Sequence, residues 1–165
     1  VVQIVAHRQR ARLLRREHGE VVDGHRAVHH ARGHVIVSAV GNDGPRSPPL
    51  FPAAYPEVIG VTAVDERDRL LPEAVRGPHA RFAAPGVRLR AAGTEGQWLQ
   101  VRGTSFASAL VARQAAEALP APGNTAFETT IARLRALSRP GKTPGVDILA
   151  PPSVPEPVRT ARARE

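Results

Sequence analysis

Gly103-Thr104-Ser105-Phe106-Ala107-Ser108-Ala109-Leu110-Val111-Ala112 is the stretch that says most about this chain. A glycine, two hydroxyl residues and then an apolar run predict a turn opening into a buried helix, because Thr and Ser suit a helix start and Phe106 onward can pack inward. Gly103 permits a close backbone approach that a side chain would block. At such a terminus several amide N–H groups lack an intrahelical partner, so an oxygen developing negative charge beside Ser105 is stabilised. The same composition also describes an ordinary capping element with no chemistry. Other segments must decide between the two.

Val35-Ile36-Val37-Ser38-Ala39-Val40 is apolar and rich in β-branched residues, and Gly41-Asn42-Asp43-Gly44-Pro45 breaks it. It reads as a buried strand running into a turn. Phe51-Pro52-Ala53-Ala54-Tyr55-Pro56 then leads into Glu57-Val58-Ile59-Gly60-Val61-Thr62-Ala63-Val64-Asp65, where two prolines fix the entry to a strand suited to a sheet buried on both faces. Arg81-Phe82-Ala83-Ala84-Pro85-Gly86 follows. These four segments, in this order and with this separation of Asn42 from Ser105, resemble the C-terminal half of the catalytic domain of subtilisin-like serine proteases, the subtilases of peptidase family S8. The likeness runs from about Val22 to Leu119 and implies an α/β, three-layer subtilisin-like fold with a mostly parallel sheet, incomplete because only the C-terminal half is represented. It divides the chain into a basic N-terminal segment (1–21), a partial catalytic domain (22–150) and a Pro- and Arg-rich tail (151–165), for which composition predicts disorder.

The resemblance implies a serine endopeptidase that hydrolyses peptide bonds through an acyl-enzyme, with Ser105 as nucleophile and Asn42 as donor to the oxyanion. A serine hydroxyl is a poor nucleophile until a histidine removes its proton and a carboxylate orients that histidine. In subtilases the order along the chain is Asp, His, Ser, and both partners belong well upstream of the oxyanion strand. Too little chain precedes Asn42 for those elements, which ordinarily need on the order of a hundred residues. His18-Gly19-Glu20-Val21-Val22-Asp23-Gly24 resembles the family's histidine motif but stands too close to Asn42, and the segment 23–33 already fits the helix before the oxyanion strand. Asp23, Asp43, Asp65, Asp68 and Asp147 offer no residue in the context of the family's aspartate. The isolated chain is therefore expected to show little or no activity. The alternative is a non-catalytic pseudopeptidase or interaction protein, whose incomplete core is covered by a missing N-terminal half or by self-association.

Composition agrees with one partial domain of 165 residues. Val1 rather than Met stands first, which points to a fragment or a processed product. The absence of cysteine excludes disulfides and thiol catalysis and leaves the compartment open. Neither a signal peptide nor a run of about 18 apolar residues is present, so localisation cannot be read and no membrane span is predicted. Lys142 is the only lysine among 23 basic residues, so the net charge of +8 reflects an arginine-biased composition more than a phosphate-binding surface. Arg8, Arg10, Arg12, Arg15 and Arg16 cluster in Val1–Gly19, read as a basic helix. The scarcity of aromatic residues argues against a nucleic-acid arm. His29, His30 and His34 carry a helical metal spacing, but Gly33 should end that helix, and no cysteine or carboxylate pair completes a zinc site. His7, His25 and His79 read as surface positions. No cofactor is assigned; calcium occurs in the family, but no ligand loop can be placed here.

Two helices should follow. The first runs to about Leu119 with Leu110, Val111, Ala115, Ala116 and Leu119 inward, stopped by Pro120-Ala121-Pro122-Gly123. The second covers Thr125–Ala136, with Phe127, Ile131, Leu134 and Leu137 at core spacing. Residues 140–149 resemble the family's closing turn and short strand. Ala109 and Arg113 stand where the family usually has proline and glycine, and Arg113 is expected to force a local rearrangement.

Overall fold

The computed structural model describes residues 2–5, 32–121, 123 and 125–151. Its centre is a mixed, mostly parallel sheet of six strands in the order β1-β2-β3-β4-β8-β7. β1 (Val2–Val5), β2 (Val35–Ala39), β3 (Val58–Val64), β4 (Ala80–Pro85) and β8 (Asp147–Ile148) run parallel, and β7 (Arg139–Pro140) returns antiparallel to β8. β2 and β3 arise where the β-branched runs stand, and every residue of β3 is buried. A strand covered on both faces has no polar face to alternate with, so its sequence reads as continuous hydrophobicity. Gly60 marks a register shift against β4, where a Cβ would stand 2.0 Å from the carbonyl oxygen of His79. Only glycine lets the two backbones approach so closely.

Helix α1 (Thr104–Ala118) lies on one face of the sheet over Val35, Val37, Ile59, Val61, Ala63, Phe82 and Ala84, and α2 (Ala126–Leu137) packs beside it through Phe127, Ile131 and Leu134. The buried face of α1 is Ala107, Ser108, Val111, Ala112, Ala115 and Ala118, so Ala116 is exposed, and Leu110 and Leu119 are only partly covered. Leu137, expected in the core, is 65 % exposed, because it closes the last turn of α2 beyond the reach of α1. Arg113 also points outward and pairs with Glu117 four residues on, 3.1 Å away, so the expected rearrangement does not occur. The opposite face of the sheet carries a second cluster, Val40, Ala53, Val64, Val75, Ala80, Ala83, Val146 and Ile148.

Two features depart from the sequence reading. Val2–Val5, taken as part of a basic helix, is a strand paired with β2 in the register Val2 to Val35. The rest of that segment (6–21), the expected helix at 23–33 up to residue 31, and the tail from 152 lie outside the described residues. The second feature is an antiparallel hairpin, β5 (Leu89–Ala92) and β6 (Trp98–Val101), between the Ala-Pro-Gly loop and Gly103, which no motif announced. Five of its eight strand residues are exposed, so no continuous apolar run marks them.

Candidate active site

Parallel strands deliver their C-terminal ends to one edge, and two of the segments singled out above meet there. β2 runs through Val40, whose N–H donates to Val61 O at 2.9 Å, into the turn Gly41–Gly44. Backbone bonds from the 73–75 segment hold that turn: Gly44 N–H donates to Glu73 O at 2.8 Å, and Val75 N–H to Gly41 O at 3.1 Å. From the other side, β6 leads through Arg102 to Gly103, whose N–H donates to Gly86 O at 2.9 Å. Gly103 has φ 129° and ψ 169°, a conformation that is essentially glycine-only. It turns the chain so that Thr104 and Ser105 become the first residues of α1.

Gly103 has no side chain to cap this helix, and Asn42 performs that task from the neighbouring loop. Its Oδ1 accepts the Thr104 N–H at 3.1 Å, across 62 residues of sequence. An N–H donor at Oδ1 fixes which end of the amide is oxygen, and leaves Nδ2 as a donor directed elsewhere. Nδ2 lies over the turn: a Cβ built on Gly103 would stand 3.4 Å from it. Ser105, half-buried, follows two residues later, and its N–H is one of the first-turn amides without an intrahelical acceptor. Fully buried Ser108 donates its hydroxyl to Ser105 O at 2.8 Å, adding a tie below the serine. Neither Thr104 nor Ser105 acts as the helix cap, and the buried Thr104 hydroxyl has no partner among the described residues. The arrangement gathers a hydroxyl and two N–H donors at the open edge of a parallel sheet. Such a set can hold an oxyanion formed by attack at a carbonyl.

A base is not among the described partners of Ser105. His34 precedes β2 and His79 precedes β4, so parallel topology puts both at the opposite ends of the strands from Asn42. The His79 imidazole is half-buried with Nε2 unpartnered among the described residues, and burial pushes its pKa below the ordinary value. His7, His18, His25, His29, His30 and Asp23 lie outside the described residues, as does most of the histidine metal spacing. Asp65 accepts the N–H groups of Arg67 and Arg69 at 2.9 and 3.0 Å, with the Arg69 bond the leading cause of its lowered pKa. Asp68 is gripped by Arg139 at 2.6 and 2.7 Å, which likewise holds its carboxyl below the usual range. These carboxylates shape loops. Among the described residues, no group of three or more His, Asp or Glu side chains converges. Two surface cavities of about 230 and 380 Å³ lie away from Ser105 and Asn42. Sequence reasoning missed Glu73 and Arg102, which form a bidentate pair beside the site. A lone Glu and a lone Arg far apart in sequence carry no signal of their meeting.

The sequence profile described as the Subtilase family matches residues 15–139. The chain belongs to the subtilase family. This subtilase chain is 41 % identical over 92 residues to "Thermophilic serine proteinase" of Bacillus sp. (strain AK1), an alignment covering 54 % of this chain and 23 % of that protein. It is 35 % identical over 86 residues to "Minor extracellular protease Epr" of Bacillus subtilis (strain 168), covering 51 % and 13 %. Among solved structures, a cold adapted subtilisin-like serine proteinase superposes with a TM-score of 0.66 at 21 % identity, over 82 % of this chain and 50 % of that one. That likeness concerns the fold, which is subtilisin-like and α/β. The matched region spans less than a quarter of the length of these curated relatives. No described helix is long and apolar enough to cross a membrane.

Proposed function

We propose that this subtilase segment supplies the nucleophile and oxyanion half of a serine endopeptidase acting on peptide or protein substrates. The bond from Thr104 N–H to Asn42 Oδ1 carries the reading, because it sets an amide donor beside the turn that presents Ser105. Ser105 Oγ attacks the carbonyl carbon of the scissile peptide while a histidine takes its proton. The carbonyl oxygen becomes an oxyanion, received by Asn42 Nδ2 and the Ser105 N–H. Collapse expels the amine with the returned proton and leaves an acyl ester on Ser105. Water then attacks that ester with the same base, releasing the acid and restoring the serine. The family order assigns histidine and aspartate to chain upstream of the oxyanion strand, so residues 32–151 alone hold an unactivated serine.

The test is a chimera in which residues 32–151 replace the matching part of a complete subtilase such as the Bacillus sp. AK1 proteinase. A folded chimera should cleave casein, lose that cleavage with Ser105→Ala, and fall roughly 10²- to 10³-fold in kcat with Asn42→Ala, the scale known for a subtilisin oxyanion donor. The isolated chain should take up little or no fluorophosphonate probe. A folded, inactive chimera would defeat the reading and leave a non-catalytic pseudopeptidase.

A further inference from the structure

The two segments that meet at Asn42 and Ser105 are joined a second time, from outside the site. Glu73 occupies the third position of the turn Leu71–Ala74, closed by Ala74 N–H donating to Leu71 O at 3.1 Å. Pro72 stands at the second position, where its fixed φ suits the turn, and Leu71 and Ala74 anchor both ends in the core at 1 % and 0 % exposure. From this anchored place Glu73 works in two directions. Its backbone carbonyl accepts the Gly44 N–H at 2.8 Å, two residues beyond Asn42. Its carboxylate accepts Arg102 Nε at 2.5 Å and Nη2 at 2.9 Å, next to Gly103. With the bond from Thr104 to Asn42, the contacts form a closed circuit through Asn42, Gly44, Glu73, Arg102 and Thr104.

We propose that Glu73 and Arg102 form a positioning clamp that keeps the Asn42 amide in register with the turn presenting Ser105. Its purpose rests on the serine-peptidase reading; its existence does not. A single hydrogen bond between Asn42 and Thr104 fixes a distance but leaves the two segments free to pivot, and Gly103 is the residue best able to swivel. A planar guanidinium meeting a carboxylate through two parallel bonds is directional and removes that pivot. Arg102 is more than half exposed, so the pair adds little to overall stability, as exposed pairs generally do. Positioning and stabilisation can therefore be separated by measurement.

The experiment follows backbone amide exchange by NMR in the purified chain, at Thr104 and Gly44 with Ile59 and Val61 as core references, together with the Asn42 side-chain NH₂ signals. Glu73→Gln and Arg102→Ala should each speed Thr104 exchange by about tenfold or more and shift the Asn42 signals, while the core amides keep their rates. The swap of Glu73→Arg with Arg102→Glu should recover most of the protection. Arg102→Lys keeps the charge without the fork and should fall between wild type and Arg102→Ala. Thr104 rates within about twofold of wild type, or Thr104 and core amides accelerating together, would overturn the clamp. None of these readouts depends on turnover. An inactive chimera beside a responsive Thr104 refutes the peptidase reading alone, and an active chimera beside an indifferent Thr104 refutes the clamp alone.

Discussion

Gly103 and Asn42 decide the local geometry between them. A residue at φ 129°, ψ 169° with any Cβ is strained, so Gly103→Ala should cost about 1–3 kcal/mol, read as a lower midpoint in thermal unfolding by circular dichroism. The space is not the obstacle, since a Cβ there would meet Asn42 Nδ2 only at ordinary contact distance, 3.4 Å. An unchanged midpoint would mean that the turn relaxes into a common conformation and that the Asn42–Thr104 bond is not rigidly held. Ser105 and Asn42 were readable from sequence because each stands in a motif with neighbours of defined type. Glu73 was not, because what makes it matter is a carbonyl aimed at Gly44 and a carboxylate aimed at Arg102.

Helices α1 and α2 show how periodicity names candidates and packing selects among them. Phe127, Ile131 and Leu134 are buried as their spacing predicts, yet Leu137, on the same stripe, is 65 % exposed. Leu134→Ala should therefore cost about 2–5 kcal/mol, leaving a cavity against α1, in chemical denaturation. Leu137→Ala should stay within about 0.5 kcal/mol of wild type. Equal losses would place Leu137 in contacts absent from this fold. The two helices are also tied end to side, with Arg133 Nη1 donating to Ala118 O at 2.9 Å and satisfying a carbonyl at the C-terminal end of α1. Pro120 marks this end in sequence, but the donor that satisfies it could come only from a neighbouring element.

Across the whole molecule, ion pairs fasten loops distant in sequence, and their protonation sets the response to acid. Asp68 on the β3–β4 connection grips Arg139 on β7, and Lys142 Nζ donates to Arg67 O at 3.0 Å nearby. In both Asp68 and Glu73 the hydrogen bonds from Arg139 and Arg102 hold the folded carboxyl below its ordinary value, 3.8 and 4.5 respectively. A folded pKa below the unfolded one means the unfolded chain binds protons more readily, so stability is full above the ordinary value and is lost as pH falls through the folded one. His79, depressed by burial from 6.5, adds an earlier loss, because burial disfavours its protonated imidazole in the fold. The thermal midpoint should fall in a first stage below about pH 6.5, with a second stage below about pH 4.5 that is smaller because both ion pairs are largely exposed. His79→Gln should remove the first stage, and Asp68→Asn should weaken the second; a midpoint unchanged down to pH 4 in the native chain would contradict the burial of His79.

Sequence by itself determined the family, the buried central strands and both helices, because each depends on a local run of residue types at fixed spacing. Val2–Val5 escaped, since a short run of three apolar residues and a glutamine before an arginine-rich stretch fits a helix as well as a strand until β2 offers an edge to pair with. The β5–β6 hairpin escaped because its strands are four residues each and mostly exposed, too short and too open for an alternation to stand out. Only the tertiary structure decided that Asn42 caps the helix of Ser105, that Glu73 and Arg102 close the circuit around them, and that His34 and His79 stand at the far end of the strands. Direction and distance between segments are set by the parallel sheet, and no residue carries that information until the strands are side by side.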